Sequence, residues 1–482
     1  MSELAAFPSL VVRAQGFVPS GAFAEAQAAY LDPDPAEVAE LGRLLAAHEA
    51  GIVAHYYMDP ELQGVLSACP WPHIHISDSL VMADRAVKMV EAGARRIVVL
   101  GVDFMSENVR AMLDAAGHAA VPVWRVAERP IGCSLAEAAE SPSYAAYLER
   151  AAGTPRSLHV VYINTSLRTK AQAHARVPTI TCTSSNVVQT VLQAFAQIPD
   201  ATVWFGPDTY MGENLQSLFA HLGELDDAAI RRVHPAHDRA SLARLRARFH
   251  HFEQGSCVVH HLFGASVVET VKRSYADCFV TAHLEVPGEM FALALAAAAR
   301  DAGVVGSTSN ILDFIGRKVD ERAKGGGGGR LRFVLGTEAG MITAIVRRVQ
   351  ATLRAAAERT PDTLEVEIVF PVAAEAVLAT GERELPIVPG VAGGEGCSPA
   401  GGCATCPYMK MNSLEALFDV LGRLDRPATL AAFAPRVYRE LVAGRSAAEL
   451  GSEPILHMRA FQHDGVLPDA LVRDVVARRA PG

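Results

Sequence analysis

Short, uninterrupted apolar runs recur along the chain, each closed by small polar residues and followed by a helix-like stretch. Continuous rather than alternating hydrophobicity predicts strands buried on both faces, and hence parallel sheets covered by helices. The repeated strand–helix–strand order predicts an α/β fold. The runs that we predict as strands are 51–57, 96–104, 158–164, 201–207, 256–261, 278–285, 304–309 and 331–335.

Segments of different composition flank and interrupt this pattern. Residues 1–35 are rich in Ala and Pro, and we expect a flexible lead-in before a first helix near 36–50. Five consecutive glycines at 325–329 and the Gly- and Pro-rich stretch 386–402 predict two loops. Apolar positions at helical spacing after about residue 413 predict a helical C-terminal extension.

Polar side chains gather where the predicted strands end. In open parallel sheets, ligands bind beyond the carboxyl ends of the strands, where helix N-termini offer free N–H groups. Ser, Thr and Asn at such places are also ordinary helix caps. Several polar strand ends in one chain nevertheless favour a shared anion-binding site. These clusters are 55–57, 78–79, 106–108, 164–166, 183–186, His283 and 307–310.

Length and charge narrow the class of protein. The 482 residues suffice for two to four domains, and the net charge of −9 argues against a nucleic-acid partner. No apolar run reaches the roughly 20 residues of a membrane span, and no basic start precedes an apolar run as in a secretory signal. We therefore expect a cytoplasmic protein, in which eight cysteines favour metal or redox chemistry over disulfides.

The cysteines divide into a local cluster and scattered positions. Cys397, Cys403 and Cys406 lie close together, and the last two have CxxC spacing, which can bind zinc, bind iron–sulfur or form a dithiol switch. A structural zinc ion requires a fourth ligand, and none is near in sequence. Cys133 and Cys257 each follow a glycine at the edge of an apolar run and could equally be packing residues. We predict packing roles for Cys69, Cys182 and Cys278.

Histidines and a carboxylate add candidates for proton transfer. His283 and Glu285 stand at i, i+2 on a predicted strand end, so both side chains project from the same face. Such a pair can act as general acid and base. His260 lies three residues past Cys257, and two tyrosines follow His55. A buried histidine is often a satisfied core group, and the residues alone leave both interpretations open.

Together these segments resemble the quinolinate synthase family. Eleven family segments occur here in the family's order, from about residue 45 to 415. They are 54–57 with 78–80, 101–107, 132–134, 162–165 with Lys170, 182–186, 207–208, 255–260, 283–285, 306–309, 337–338 and 406–410.

The resemblance implies three similar three-layer αβα domains with short parallel sheets, arranged around a pseudo-threefold axis with the active site at the centre. Each domain gives one cysteine, Cys133, Cys257 or Cys406, to a single 4Fe–4S cluster per chain. Three thiolates leave one iron without a protein ligand, open to substrate as a Lewis acid. The implied domains are 36–133, 134–257 and 258–412, with the lead-in 1–35 before them and the extension 413–482 after them.

The family's reaction condenses iminoaspartate with dihydroxyacetone phosphate, losing phosphate and two waters, to give the NAD precursor quinolinate. It implies a functional link to an iminoaspartate-forming enzyme. By resemblance, Glu285 is the principal acid/base, and His283, His260 and Tyr57 are also catalytic. The residues implied to bind substrate are His55, Ser79, Tyr162, Asn164, Ser184, Ser307 and Thr308.

The chain also departs from the family pattern. Val286 replaces a cysteine that is not a cluster ligand, and Glu253 replaces an aromatic residue. The pentaglycine stretch and the C-terminal extension are additional. None of these changes touches a proposed ligand.

Three alternatives remain open at this point. One is another 4Fe–4S hydro-lyase acting on a small carboxylate, and the second is a non-catalytic iron–sulfur sensor, although no basic helix or helix-turn-helix pattern is present. The third is a structural zinc site at Cys397, Cys403 and Cys406. We also hypothesise that Cys397 or Cys403 forms a reversible disulfide that blocks the loop delivering Cys406.

Overall fold

The computed structural model of the chain describes residues 7–326, 328–358, 364–371 and 405–478. The strands are β1 Ser9–Val12, β2 Phe17–Ser20, β3 Ala50–His55, β4 Ile74–Ser77, β5 Arg96–Leu100, β6 Val123–Trp124, β7 Ser157–Tyr162, β8 Thr179–Cys182, β9 Thr202–Gly206, β10 Phe249–His251, β11 Phe279–His283, β12 Gly303–Gly306, β13 Gly329–Gly336, β14 Leu364–Val369, β15 Leu441–Val442 and β16 Arg445–Ser446.

Helices separate most of these strands. The α-helices are α1 Ala22–Ala29, α2 Pro35–His48, α3 Pro60–Ala68, α4 Ser79–Glu91, α5 Asp103–Ala115, α6 Ser134–Ala139, α7 Pro142–Ala152, α8 Leu167–Arg176, α9 Val187–Gln197, α10 Thr209–Glu224, α11 Asp227–Val233, α12 Arg239–Arg248, α13 Ala265–Ser274, α14 Gly288–Ala298, α15 Thr308–Lys324, α16 Ile342–Ala357, α17 Leu414–Leu421, α18 Ala447–Asp464 and α19 Asp469–Ala477.

Three short sheets share one strand order. The first sheet is β4-β3-β5-β6 and the second is β8-β7-β9-β10, and all neighbouring pairs in both are parallel. The third sheet contains the parallel run β12-β11-β13-β14. Counted along the chain, the strands of each run have the order 2-1-3-4. The second strand is therefore added on one side of the first, and the third and fourth strands on the other side. The predicted α/β class with short parallel sheets is confirmed.

The N-terminal residues extend the third sheet. β1 pairs antiparallel with β14, and β2 pairs antiparallel with β1. Leu10 and Val12 are completely buried. Residues 9–29 therefore form two strands and a helix in place of part of the flexible lead-in that we expected, because their short apolar run covers what would otherwise be the open edge of β14.

Burial explains why the strands were recognisable. Every residue of β3 and of β7 is buried, as expected for parallel strands covered on both faces. The strand predicted at 256–261 is wrong, because its backbone forms turns. The N–H groups of His261 and Leu262 donate to the carbonyls of Cys257 and Val259, and a 3₁₀ turn spans His260–Leu262.

The helices predicted near the start of the chain and in its C-terminal part are present in the structure. The first predicted helix is α2, with the Asp34 side chain as its N-cap, and the predicted C-terminal helices are α17 to α19. The tail packs on helices of the first and second sheets: the Tyr438 hydroxyl donates to Glu107 of α5 at 2.9 Å, and a Cβ added to Gly451 would lie 2.1 Å from the carbonyl oxygen of Leu167 in α8. None of the described helices is long and apolar enough to cross a bilayer. The loop predicted at 386–402 lies outside the described residues.

Candidate active site

The carboxyl ends of the strands in all three sheets border one cavity. A position between the first and third strands is where an open parallel sheet leaves a crevice for ligand. All of the site residues predicted from the sequence line this cavity except Ser307. The predicted residues that line the cavity are His55, Tyr57, Ser79, Cys133, Tyr162, Asn164, Ser184, Cys257, His260, His283, Glu285, Thr308 and Cys406.

The first strand of each sheet delivers two of these side chains in the same way. One stands at the last residue of the strand and the other two positions later, so that both project toward the cavity. The pairs are His55 and Tyr57 after β3, Tyr162 and Asn164 after β7, and His283 and Glu285 after β11.

Glu285 is a buried carboxylate surrounded by hydrogen-bonding groups. It accepts from the Tyr162 hydroxyl at 2.5 Å, and its other oxygen lies 3.3 Å from Nδ1 of His260. Burial acts to raise the pKa of Glu285, but His260, His283 and the Tyr162 hydroxyl together lower it to about 2. Burial lowers the pKa of His283 to about 3, so this ring is uncharged near neutral pH and its Nδ1 accepts from the Glu285 N–H. We therefore assign the low pKa of Glu285 mainly to His260 and Tyr162.

Tyr57 connects the first sheet to this group. Its hydroxyl lies 3.1 Å from the Thr308 hydroxyl and 3.3 Å from that of Thr337, which is in turn 3.4 Å from Nε2 of His260. Burial, with the nearby charge of Glu285, raises the pKa of Tyr57 well above its usual value, so the phenol keeps its proton. A continuous chain of polar contacts thus runs from Tyr57 through Thr337 and His260 to Glu285.

The three cysteines bring their sulfurs to the same cavity. Sγ of Cys257 is 3.3 Å from Nδ1 of His260. Burial raises the pKa of Cys133 to about 11, and burial also raises the pKa values of Cys257 and Cys406 above the usual range for a thiol. Thiols in such a place stay protonated unless a cation compensates for the thiolates, which are the form that binds metal.

Backbone N–H groups point at all three sulfurs in a repeated pattern. Each sulfur lies near the amides of the residues two and three positions later, and these amides act to lower the pKa of its thiol. They are Leu135 and Ala136 for Cys133, Val259 and His260 for Cys257, and Tyr408 and Met409 for Cys406. Hydrogen bonds to sulfur stabilise iron–sulfur clusters and tune their potentials, so this donor set fits a thiolate-bound cluster.

Close packing fixes the loops that carry two of the cysteines. A Cβ added to Gly255 would lie 2.2 Å from the carbonyl oxygen of Pro207, and one added to Gly132 would lie 2.7 Å from a carboxylate oxygen of Glu137. At Gly255 the contact is with backbone, so only glycine fits there, whereas at Gly132 the Glu137 side chain would have to move. The Ser134 hydroxyl also donates to the Ser256 carbonyl at 2.9 Å, which joins the two loops.

A smaller metal site is also possible at one side of the cavity. The ligand atoms of Cys257, His260 and Glu285 all lie within 4.8 Å of one another. Sulfur, imidazole and carboxylate ligands suit a single zinc or iron ion. This arrangement is the alternative to a cluster held by three cysteines.

Hydroxyl groups at helix N-termini form another wall. Ser79 and Thr308 are the first residues of α4 and α15. Asp78 caps α4, and its second oxygen accepts from the hydroxyls of Ser185 at 3.1 Å and Ser309 at 3.2 Å. Free N–H groups and hydroxyls in this arrangement can bind carboxylate or phosphate.

Ser307 caps a helix in the structure, and its contact with substrate stays a prediction. Its hydroxyl donates to Oδ1 of Asn310 at 2.9 Å and accepts from the Asn310 N–H, forming a capping box at the start of α15. It does not line the cavity, whereas its neighbour Thr308 does. The N-cap role was the ordinary alternative for a serine at a strand end.

Glu338 is a site residue that was not among the predicted ones. It lies just after β13, and its carboxylate accepts from the backbone N–H of Cys406 at 2.7 Å. Its second oxygen is buried with no hydrogen-bond partner in the described residues, and burial raises the pKa of Glu338 well above its usual value. Its position at the end of the third strand of its sheet was the signal available in the sequence.

Comparisons with known proteins agree with this geometry. A family model described as quinolinate synthetase A protein matches residues 39–364. The chain is 55% identical over 485 residues to the chloroplastic quinolinate synthase of Arabidopsis thaliana, covering 98% of this chain and 67% of that protein. Identity to the chloroplastic enzyme of Oryza sativa subsp. japonica is 52% over 490 residues, covering 98% and 69%. The quinolinate synthase of Prochlorococcus marinus (strain MIT 9303) is 27% identical over 388 residues, covering 80% of this chain and 82% of that protein.

The comparisons also correct the predicted location. The plant relatives that share more than half of their aligned residues with the chain are named as chloroplastic enzymes. The cytoplasmic prediction is therefore wrong. It relied on the missing pattern of a secretory signal, and that pattern does not bear on delivery to a plastid, for which the signals differ.

Proposed function

Since this chain belongs to the quinolinate synthase family and is an enzyme of that kind, we propose that it condenses iminoaspartate with dihydroxyacetone phosphate in the central cavity. The products are quinolinate, phosphate and two waters. The observation that carries the proposal is the meeting of three cysteines, an acid/base group at Glu285 and hydroxyl-bearing helix N-termini in one cavity. This combination suits a reaction that removes water from substrates carrying carboxylates and a phosphate.

A 4Fe–4S cluster, one per chain, is the proposed cofactor. Cys133, Cys257 and Cys406 would hold it, supported by their common cavity and by the backbone N–H groups directed at their sulfurs. When bound, such a cluster supplies an iron without a protein ligand, which acts as a Lewis acid toward a departing hydroxyl.

Glu285 would move protons within the cavity. Its carboxylate is ionised near neutral pH and can accept a proton from a substrate carbon or nitrogen, then return it to a leaving oxygen. The Tyr162 hydroxyl and His260 hold the two carboxylate oxygens in place. Tyr57, which keeps its proton, is a second proposed proton donor, and the uncharged ring of His283 completes the group.

Anionic groups of the substrates would be bound without fixed cations. None of the described residues that line the cavity is a lysine or an arginine. Ser79, Ser184 and Thr308, with Asn164 and His55, provide hydroxyl, amide and imidazole hydrogen bonds instead. Helix N-termini add the favourable electrostatic potential that a carboxylate or phosphate needs.

Anaerobic assay of the purified, iron-loaded protein tests the proposed function. Iminoaspartate is generated in the assay from oxaloacetate and ammonia, and quinolinate is measured after dihydroxyacetone phosphate is added. We expect quinolinate from the wild type and none from Cys133→Ser. A loaded protein that makes no quinolinate but dehydrates a small hydroxy acid would instead be a hydro-lyase, and one that does neither would be consistent with a sensor.

Two further proposals concern the setting of the enzyme. Because iminoaspartate hydrolyses readily, we propose a functional link to the enzyme that forms it.

The names of the plant relatives support a plastid location for this protein. Fluorescence imaging of the full-length gene product tests the location, and a signal confined to the cytosol would contradict it.

A further inference from the structure

Three site residues occupy equivalent places in the three sheets. Tyr57, Asn164 and Glu285 each stand two positions beyond the last residue of β3, β7 or β11. Beyond a strand end the sheet ladder no longer pairs the backbone carbonyls, and buried carbonyls must find other donors. The donors that they find follow a common pattern.

The carbonyls beside Tyr57 are held by Gln63, the fourth residue of α3. Its side-chain amide donates to the Tyr56 carbonyl at 2.5 Å and to the Met58 carbonyl at 3.0 Å. The same amide lies 2.7 Å from the carbonyl of Gly340, which packs against the Tyr57 backbone. Gln63 is 1% exposed, so its amide is committed to these contacts.

The carbonyls beside Asn164 are held by Lys170, the fourth residue of α8. Its ammonium donates to the Ile163 carbonyl at 3.1 Å and to the Thr165 carbonyl at 2.5 Å. Lys170 is completely buried. The lysine therefore occupies the place in the second sheet that Gln63 occupies in the first.

The carbonyls beside Glu285 are held from a different helix. The fourth residue of α14 is Phe291, which has no side-chain donor. Asn214 of α10 instead donates its side-chain amide to the Leu284 carbonyl at 2.9 Å and to the Val286 carbonyl at 2.7 Å. It is 1% exposed, and it reaches across from the second sheet to the third.

We propose that Gln63, Lys170 and Asn214 are positioning residues, each of which binds the carbonyls of the residues just before and just after one site residue, an arrangement that we call a clamp. This proposal rests on the proposed function for its catalytic consequence. A donor that bridges these two carbonyls fixes the peptide plane before the site residue and the plane after its following neighbour, and so limits how far the site residue between them can rotate. Asn214 thereby holds Glu285 toward the substrates.

The Asn214 clamp is tested with Asn214→Leu, which removes the donors at similar volume. The matched control is Gln216→Leu on the same helix, whose amide contacts the Phe249 carbonyl away from the cavity. We expect kcat per loaded cluster to fall by about 10- to 100-fold in Asn214→Leu, with KM and iron content little changed. The control should keep wild-type kcat.

A double-mutant cycle distinguishes positioning from general structural support. If Asn214 acts through Glu285, adding Asn214→Leu to Glu285→Gln should lower the residual activity less than twofold. If the activity of the double variant instead fell by the product of the two single-variant reductions, the proposal would be overturned. If Asn214→Leu does not fold, Gln63→Met in the Tyr57→Phe background provides the same comparison.

Hydrogen exchange gives a readout that does not depend on the reaction. The peptide containing residues 284–286 should exchange at least about tenfold faster in Asn214→Leu than in wild type or in Gln216→Leu. Unchanged exchange there would overturn the clamp whatever the activity. An inactive wild type with the expected exchange pattern would instead refute the proposed function and leave the clamp standing.

Discussion

Glu285 receives contacts from residues of two sheets and from the loop that carries Cys257. Tyr162 donates to one of its oxygens, and His260, which also lies beside the Cys257 sulfur, approaches the other. A buried carboxylate in low-polarity surroundings is costly unless it is hydrogen-bonded. These contacts keep Glu285 ionised and oriented.

Replacing Glu285 by Gln tests its proposed role in proton transfer. We expect kcat to fall by about 10²- to 10⁴-fold, because the amide keeps the shape but cannot accept a proton. Iron content, measured anaerobically, should stay at the wild-type level, since the three cysteines are the proposed ligands. Loss of metal from this variant would favour the site formed by Cys257, His260 and Glu285.

Asp208 gives a prediction about pH and stability. It is completely buried, one oxygen caps α10 through the Met211 N–H at 3.0 Å, and the other has no hydrogen-bond partner in the described residues. Burial, then the charge of Glu285, raises the pKa of Asp208 well above its usual value. In the unfolded chain the Asp208 carboxyl has a pKa of about 4 and loses its proton above that pH, whereas in the folded protein it keeps the proton. The free energy of unfolding therefore falls as the pH rises above about 4.

Asp208→Asn should remove this loss, because the amide keeps the capping oxygen and carries no charge. We expect the melting temperature of the variant to exceed that of the wild type at pH 7 to 8, and the difference to shrink toward pH 4. Calorimetry across this range is the measurement. A variant that is less stable than the wild type by the same amount at every pH would contradict the prediction.

Site residues could be predicted where neighbouring positions in the sequence carry the signal. Cysteines after glycines, and His and Glu at a strand tip, have signals in the sequence. Gln63 and Asn214 have none, because in the sequence a side-chain amide that binds backbone carbonyls looks like any surface amide. For Asn214 those carbonyls also lie 70 and 72 positions away. The sequence context of Ser307 does not separate a helix cap from a substrate ligand, and the cap is the contact that the structure shows.

At the scale of elements, most central strands were predicted and most edge strands were missed, although the edge strand β12 was predicted and the interior strands β1 and β14 were missed. The strands β4, β6, β8 and β10 all lie at sheet edges, have two to four residues, and are too short to give an apolar run of their own. The strand prediction for 256–261 failed for a different reason. The apolar residues of this segment are buried beside the cavity, but they belong to a loop. An apolar run reports burial and cannot by itself report extended backbone.

The loop that carries Cys257 depends on Gly255. An added Cβ would meet the Pro207 carbonyl oxygen at 2.2 Å, so Gly255→Ala must displace the loop. We expect destabilisation by about 1–3 kcal/mol and reduced iron content. Gly223→Ala in α10 is the control, since nothing lies within 4 Å of its added Cβ and alanine should stabilise this helix by about 0.5–1 kcal/mol. Full iron loading of Gly255→Ala would contradict the packing argument.

The N-terminal strands give a prediction about the third sheet. Leu10 of β1 is completely buried, whereas Val18 of β2 is 41% exposed. Urea unfolding of Leu10→Ala should show a loss of about 2–5 kcal/mol, because a buried leucine leaves a cavity. Val18→Ala should change stability by less than about 0.5 kcal/mol. Equal, small effects of both substitutions would mean that these residues are the flexible lead-in expected from the sequence.

The whole molecule repeats one strand order three times although the sequence shows no strict repeat. The order 2-1-3-4 needs only buried apolar runs and polar strand tips, which many sequences supply. On this basis we propose 36–133, 134–257 and 258–412 as the three domains. The C-terminal extension contacts the first two of them: Arg125 donates to the carbonyls of Ala432 and Ala434, and Arg168 pairs with Glu440 at 2.8 Å.

Each repeat contributes one cysteine to the cavity, and a cluster held jointly by the three would link the domains through their shared centre. A mononuclear ion at Cys257, His260 and Glu285 would not, because those ligands need neither Cys133 nor Cys406. The two arrangements therefore differ in metal stoichiometry and in the cysteines that they require.

Anaerobic iron and sulfide analysis of the wild type and of single Cys→Ser variants separates them. We expect about four irons and four sulfides per chain in the wild type, lost in the variants of Cys133, Cys257 and Cys406 and retained in those of Cys69, Cys182 and Cys278. About one metal ion per chain without sulfide, retained in Cys133→Ser and Cys406→Ser but lost in Cys257→Ser, would contradict a cluster at the junction of the three sheets.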